Sequence, residues 1–120
     1  MAKRILVIDD DPVTVHWLRA RLKAGGYDVL VACDGVSGLD MARKEIPDLI
    51  TLDIMMPGLN GYSVCGFLRS DQKLYDVPII IITSRKEDSD GKFDDNFSPN
   101  AFITKPFAME EVFEKINELA

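Results

Sequence analysis

Four apolar runs in this 120-residue chain end in residues able to do chemistry. RILVI is followed by Asp9, Asp10 and Asp11, LITL by Asp53, PIIII by Thr83 and Ser84, and AFIT by Lys105. Gathering carboxylates is costly: two like charges about 4 Å apart repel by roughly 1 kcal/mol even in water, and by more in a partly dry cleft. A solvated turn, a helix start or a bound cation would offset that cost. Carboxylates, a hydroxyl and a single ammonium together suit a hard divalent cation and a phosphoryl group. Mg²⁺ takes one or two carboxylates, several waters and phosphate oxygens. Phosphoryl oxygens that the metal leaves free need other donors, and Thr83 offers a hydroxyl, Lys105 a point charge. A carboxylate beside the metal can itself attack phosphorus. The remaining work is positioning and charge neutralisation.

The elements between these residues must bring them together. Lys3–Ile8 reads as a buried strand. Asp11 followed by Pro12 is a helix start, an N-cap acceptor before proline at the first helical position. That helix runs to about Ala24, with Val15, Leu18 and Leu22 on one face, and ends at Gly25-Gly26. Tyr27–Cys33 is a second strand and Val36–Glu45 a second helix, stopped before Pro47. Leu49–Leu52 is a third strand, and Met56–Gly61 carries turn chemistry. Tyr62–Ser70 is a helix with Val64, Cys65, Phe67 and Leu68 as its apolar set. Pro78–Ile82 and Ala101–Thr104 are further strands. Met109, Val112, Phe113, Ile116 and Leu119 recur at helical spacing in a final helix. Continuous apolar strands alternating with amphipathic helices predict an α/β fold, a doubly wound five-stranded parallel sheet with helices on both faces. In such sheets ligands bind beyond the carboxyl ends of the strands. All the chemical residues fall on that edge.

Composition narrows the function classes. One domain over residues 1–120 is expected, with 47% apolar residues for a core. A net charge of −6 argues against nucleic acid as a direct partner and suits a cation or a basic protein surface. No window approaches the ~20 apolar residues of a membrane span. The opening MAKR leads directly into a strand, so no signal peptide is read and the expected location is cytoplasmic. Cys33 and Cys65 share no metal-like spacing and are expected reduced in the core. His16 is expected at the surface or half-buried, without a phosphohistidine role. Trp17 fits either the core or a partner-docking surface. Glu87–Asp95 resembles a calcium loop only faintly: Lys86 and Phe97 stand where that loop needs carboxylates, so a solvated acidic face is the better reading.

Together ILVIDDD (5–11), LITLDIMMPGLNGY (49–62), PIIIITS (78–84) and FITKPF (102–107) resemble the response-regulator receiver domains of two-component signalling, the CheY-like family, in order and spacing. The resemblance implies a flavodoxin-like strand order 2-1-3-4-5. It implies Asp53 as phospho-acceptor, Asp10 as direct metal ligand, Asp9 supporting the metal through water, and Met55 lending its backbone carbonyl. The cofactor would be Mg²⁺ or Mn²⁺. Thr83 would contact and report the phosphoryl group, Lys105 would pair with it or with Asp53, Lys105-Pro106 would be cis, and Phe102 would be the aromatic switch that turns inward when Thr83 moves. Met55 and Arg85 would tune phosphoryl lifetime and are expected to lengthen it. The partners implied are a histidine kinase or histidine phosphotransfer protein and an unknown output protein or effector domain, with no effector domain in this chain. Asp11 is read differently, as the cap of the first helix.

The chain departs from the family between the fourth and fifth strands. Glu87, Asp88, Asp90, Asp94 and Asp95, with Gly91 inside and Pro99 after them, predict a short or irregular helix there. Ser98-Pro99-Asn100-Ala101 replaces the usual Gly-Ala-Asp-Asp. Other classes remain open. A phosphatase with Asp53 as nucleophile would want a second Asp where Met55 stands. A flavin binder would want a Ser/Thr/Gly-rich loop where DDDP stands. A receiver-like docking module that is never phosphorylated is the alternative reading.

Overall fold

The computed structural model describes residues 2–84 and 99–120. The segment 85–98, which carries Arg85, the acidic run and the expected irregular helix, lies outside the described residues. The element order is β1 (Arg4–Ile8), α1 (Pro12–Ala24), β2 (Asp28–Ala32), α2 (Gly35–Glu45), β3 (Leu49–Leu52), α3 (Gly61–Ser70), β4 (Ile79–Thr83), β5 (Ala101–Thr104) and α4 (Met109–Leu119). All strands pair parallel, in the order β2-β1-β3-β4-β5. The expected architecture is therefore observed, with element limits within a residue or so of those read from the sequence.

Strand alternation divides the core between two layers. Leu6, Ile8, Ile50, Leu52, Ile79 and Ile81 join Val64, Cys65 and Leu68 of α3 and Leu39 and Ala42 of α2. Ile5, Val7, Leu49, Ile80, Ile82 and Ile103 face the other way, against Leu18 and Leu22 of α1 and Met109, Val112 and Ile116 of α4. Side chains buried on both faces explain why the strands read as unbroken apolar runs. Among the described residues, no helix is long and apolar enough to cross a membrane.

Helix starts follow local chemistry. Asp11 caps α1, accepting the Val13 N–H at 3.1 Å and the Thr14 hydroxyl at 2.7 Å. Asp34 caps α2 through the Ser37 N–H, and Asn60 caps α3 through the Ser63 N–H. α4 lacks a side-chain cap, and Glu110 and Glu111 instead place negative charge in its first turn.

Two expectations fail. Cys65 is buried, but Cys33 is exposed, because it lies one residue past the end of β2, an edge strand, where the chain turns outward. Phe67 is half exposed rather than part of the α3 core face. At 100° per residue it projects roughly 100° from the middle of the arc shared by Val64, Cys65 and Leu68.

The segment before β5, which departs from the family, is tied by its own side chains. The Asn100 Oδ1 accepts the Ile79 N–H at 2.9 Å, while its backbone N–H donates to the Ile79 carbonyl at 2.8 Å. The Arg69 guanidinium, at the end of α3, donates to the same Oδ1 at 2.6 Å and to the Val77 carbonyl at 2.6 Å. Asn100 thus aligns the starts of β4 and β5. Asn100→Ala strands the Ile79 N–H and is expected to destabilise the fold by about 1–3 kcal/mol, whereas Asn100→Asp, which keeps the acceptor, loses less. Urea unfolding of the three proteins checks this, and an unchanged midpoint for the alanine variant contradicts it.

Candidate functional site

Strand register sets the site. Ile8 pairs with Leu52, so Asp9 and Asp53 leave neighbouring strands side by side. Thr83 pairs with Thr104, so Lys105 emerges beside the end of β4. Backbone bonds continue past the strands and hold the tips: Asp53 N–H to the Ile8 carbonyl at 3.0 Å, Asp9 N–H to Ala32 at 3.1 Å, and Lys105 N–H to Thr83 at 2.8 Å. Gly61 closes the floor. A Cβ there would meet the Asp53 carbonyl oxygen and the Ile54 Cα at 2.6 Å, so α3 can begin against the strand end only with glycine at this position. Turn chemistry over Met56–Gly61 does not reveal this close approach, which depends on where α3 meets the strand end.

Asp9, Asp53 and Thr83 are buried at 2, 5 and 2% exposure, while Asp10 is open to solvent. Carboxylate oxygens of Asp9, Asp10 and Asp53 all lie within 4.8 Å of one another. An octahedral cation with oxygen ligands at 2.0–2.1 Å spans about 4.2 Å between opposite ligands, so this donor set fits Mg²⁺ with little movement, and the exposed Asp10 leaves room for waters. Mn²⁺ favours the same kind of oxygen ligands.

The Lys105 ammonium is 3.0 Å from Asp9 Oδ2 and 3.7 Å from Asp53 Oδ2. It therefore holds Asp9 more closely than Asp53, a preference spanning 96 positions of sequence that no local pattern could have revealed. Asp9 Oδ1 accepts the Asp11 N–H at 2.9 Å, so both Asp9 oxygens are held. Asp53 Oδ1 accepts the Met55 N–H at 3.2 Å. One ammonium does not balance this much negative charge. Burial first, and the charge of Asp9 second, push the Asp53 carboxyl up from 3.8 to about 6, against the opposing pull of Lys105 and the Met55 N–H. Asp11, on the rim, is shifted down by the Thr14 hydroxyl and the Val13 N–H, as befits a helix cap.

The remaining expected residues have these places. Met55 lies two residues past Asp53 with its side chain half exposed. Phe102, on β5, is partly buried against the core layer beneath α2 and α3. The Lys105-Pro106 peptide bond is cis. His16 is exposed. Arg85 lies outside the described residues. Beside Lys105 opens a hollow of about 550 Å³ walled by Val13, Thr14, Trp17, Pro106 and Phe107.

Sheet order, paired acidic strand tips and the opposing lysine together define a class, and comparison with known proteins agrees. The family model of the response regulator receiver domain matches residues 5–117, and the chain belongs to that family. It is 38% identical over 119 residues to the alkaline phosphatase synthesis transcriptional regulatory protein PhoP of Bacillus subtilis, covering 99% of this chain and 49% of that protein. It is 37% identical over 116 residues to the DNA-binding dual master transcriptional regulator RpaA of Synechocystis sp., covering 97% of this chain and 48% of the relative. Against protein PilH of Pseudomonas aeruginosa it is 36% identical over 114 residues, covering 95% and 94% of the two chains. The chain thus spans about half the length of the first two relatives and nearly all of the third. Among solved structures it superposes on the response regulator TrrA of Thermotoga maritima in complex with Mg²⁺ and BeF, with a TM-score of 0.87, 34% identity and coverage of 98% and 99%. It also superposes on the receiver domain of a Pseudomonas aeruginosa sensor histidine kinase with a magnesium ion in its active-site cleft, with a TM-score of 0.90, 28% identity and coverage of 99% and 98%.

The raised carboxyl of Asp53 has a thermodynamic consequence. Below 3.8 the group is protonated both folded and unfolded; between 3.8 and about 6 the unfolded chain ionises first, so the fold loses stability as pH rises through that window. Asp53→Asn escapes the loss. In metal-free buffer its Tm is expected to match the wild type well below pH 3.8 and to exceed it by a margin that grows until about pH 6 and then levels off. Thermal melts across pH check the sign, and a margin that shrinks as pH rises contradicts it.

Proposed function

We propose that this receiver domain is a phosphorylation switch in which Asp53 takes a phosphoryl group from a histidine kinase or histidine phosphotransfer protein, with Mg²⁺ or Mn²⁺ held by Asp9, Asp10, Asp53 and the Met55 carbonyl. The observation that carries the reading is the three-carboxylate cluster at adjoining strand tips with the Lys105 ammonium already inside it. The cation would supply charge neutralisation at the phosphoryl oxygens. Asp53 forms the new O–P bond with one carboxylate oxygen as the P–N bond to the donor histidine breaks, and the imidazole keeps the bonding electron pair and takes a proton. Lys105 and the Thr83 hydroxyl bind the phosphoryl oxygens. The Met55 N–H fixes the second Asp53 oxygen and so aims the first.

Phosphorylation adds charge to a pocket that already holds too much of one sign. Lys105 is drawn from Asp9 toward the new group, and Thr83 follows it inward, with Phe102 filling the space Thr83 leaves. The result is a two-state change read at a partner-binding surface. Met55 and Arg85 limit the approach of water and lengthen the loaded state. The output is an effector domain or a separate protein. A phosphodonor must bring its histidine to the mouth of the site, and the apolar rim of Val13, Trp17 and Phe107 beside Lys105 offers it contact area.

Acetyl phosphate with Mg²⁺ is expected to add one phosphoryl to the intact protein by mass spectrometry. The addition is expected to vanish in Asp53→Ala and when EDTA removes the metal. Addition that survives in Asp53→Ala places the acceptor elsewhere, and phosphate release far in excess of protein makes the chain a phosphatase.

A further inference from the structure

We infer that the Trp17–Phe107 ring pair couples the loading of the acidic pocket to the outer edge of α1. The inference rests on the reading that the pocket takes a cation and a phosphoryl group. Lys105 is the anchor. Its backbone N–H is fixed on the Thr83 carbonyl at 2.8 Å, and its ammonium on Asp9 at 3.0 Å. Two residues further on, the Phe107 ring lies against Trp17 with centroids 5.3 Å apart and planes tilted by 48°. Trp17 in turn carries the Arg21 guanidinium, 5.9 Å from its ring centroid. One short path therefore runs from the pocket through Lys105, Pro106 and Phe107 to Trp17 and Arg21.

The hollow gives this path room to move. Packed interiors resist gradual deformation and shift between discrete arrangements. Here the Lys105–Phe107 segment borders about 550 Å³ of open space shared with Trp17 and Val13, so it can take a second position without breaking the core. An anion on Asp53 competes with Asp9 for the ammonium, which now favours Asp9 by 3.0 Å against 3.7 Å. With the Lys105 N–H held on the Thr83 carbonyl, the ammonium reaches Asp53 by swinging its aliphatic stem, which borders the hollow together with Phe107. The ring pair then changes its overlap, and Val13, Trp17 and Arg21 present a different edge. A partner seated on that edge meets one surface before transfer and another after it.

Trp17 is the only tryptophan in the chain, so its emission reports this contact directly. The experiment titrates the protein with Mg²⁺ plus beryllofluoride, a tetrahedral phosphoryl mimic, and follows indole fluorescence alongside calorimetry. Emission is expected to change and to saturate with the calorimetric midpoint. Phe107→Leu, which keeps apolar volume, is expected to lose more than about half of that amplitude while still binding the probe. A heat of binding with no change in Trp17 emission overturns the coupling and leaves the switch reading intact. Equal amplitude in Phe107→Leu also overturns it, because the indole would then sense the anion's field without the ring contact. Absence of any heat overturns the switch reading, and the coupling with it.

Discussion

Crowded negative charge at the tips of β1 and β3 is the constraint on which the rest of the structure turns. Parallel pairing of Ile8 with Leu52 forces Asp9 and Asp53 into one small volume, and burial removes most of the water that would screen them. Lys105 relieves part of the strain from a third strand, and the N–H groups of Asp11 and Met55 take up one oxygen of each carboxylate. What remains uncompensated is visible in Asp53, whose proton is held until about 6. Such a cluster costs the fold stability, and the cation and phosphoryl group of the proposed switch would offset that cost by binding.

The fold serves that cluster by making its geometry hard to relax. The two core layers fix the sheet from both faces, so the strand tips cannot spread to dilute the charge. Gly61 lets α3 start directly against the backbone of Asp53 and Ile54, which leaves that backbone no room to shift toward the helix. At the opposite edge, Asn100 and Arg69 align the starts of β4 and β5, and through β5 they set where Lys105 emerges. The hollow beside Lys105 is the open space next to this rigid cluster.

The sheet was legible because its signals are local. Buried parallel strands announce themselves as apolar runs, Asp11-Pro12 announces a helix start, and the rule that ligands gather at carboxyl ends turns strand limits into a list of site residues. Asp9, Asp10, Asp53, Thr83 and Lys105 came from that reasoning, and the family resemblance supplied their roles. What was hidden depends on distance in sequence or on direction in space. Apolar character alone could not tell that Phe67 points off the buried arc of α3, nor that Cys33 falls just beyond an edge strand. The use of Asn100 depends on Arg69, 31 positions away, and the preference of Lys105 for Asp9 on a partner 96 positions away.

The most direct test of the central claim is the titration of the Asp53 carboxyl itself, followed by carbon NMR with and without Mg²⁺. Without metal the account predicts a midpoint near 6, and with saturating Mg²⁺ a midpoint displaced well downward as the cation neutralises the cluster. A midpoint close to the ordinary 3.8 in both conditions would mean that Asp53 is neither crowded nor a cation ligand, and would contradict the account.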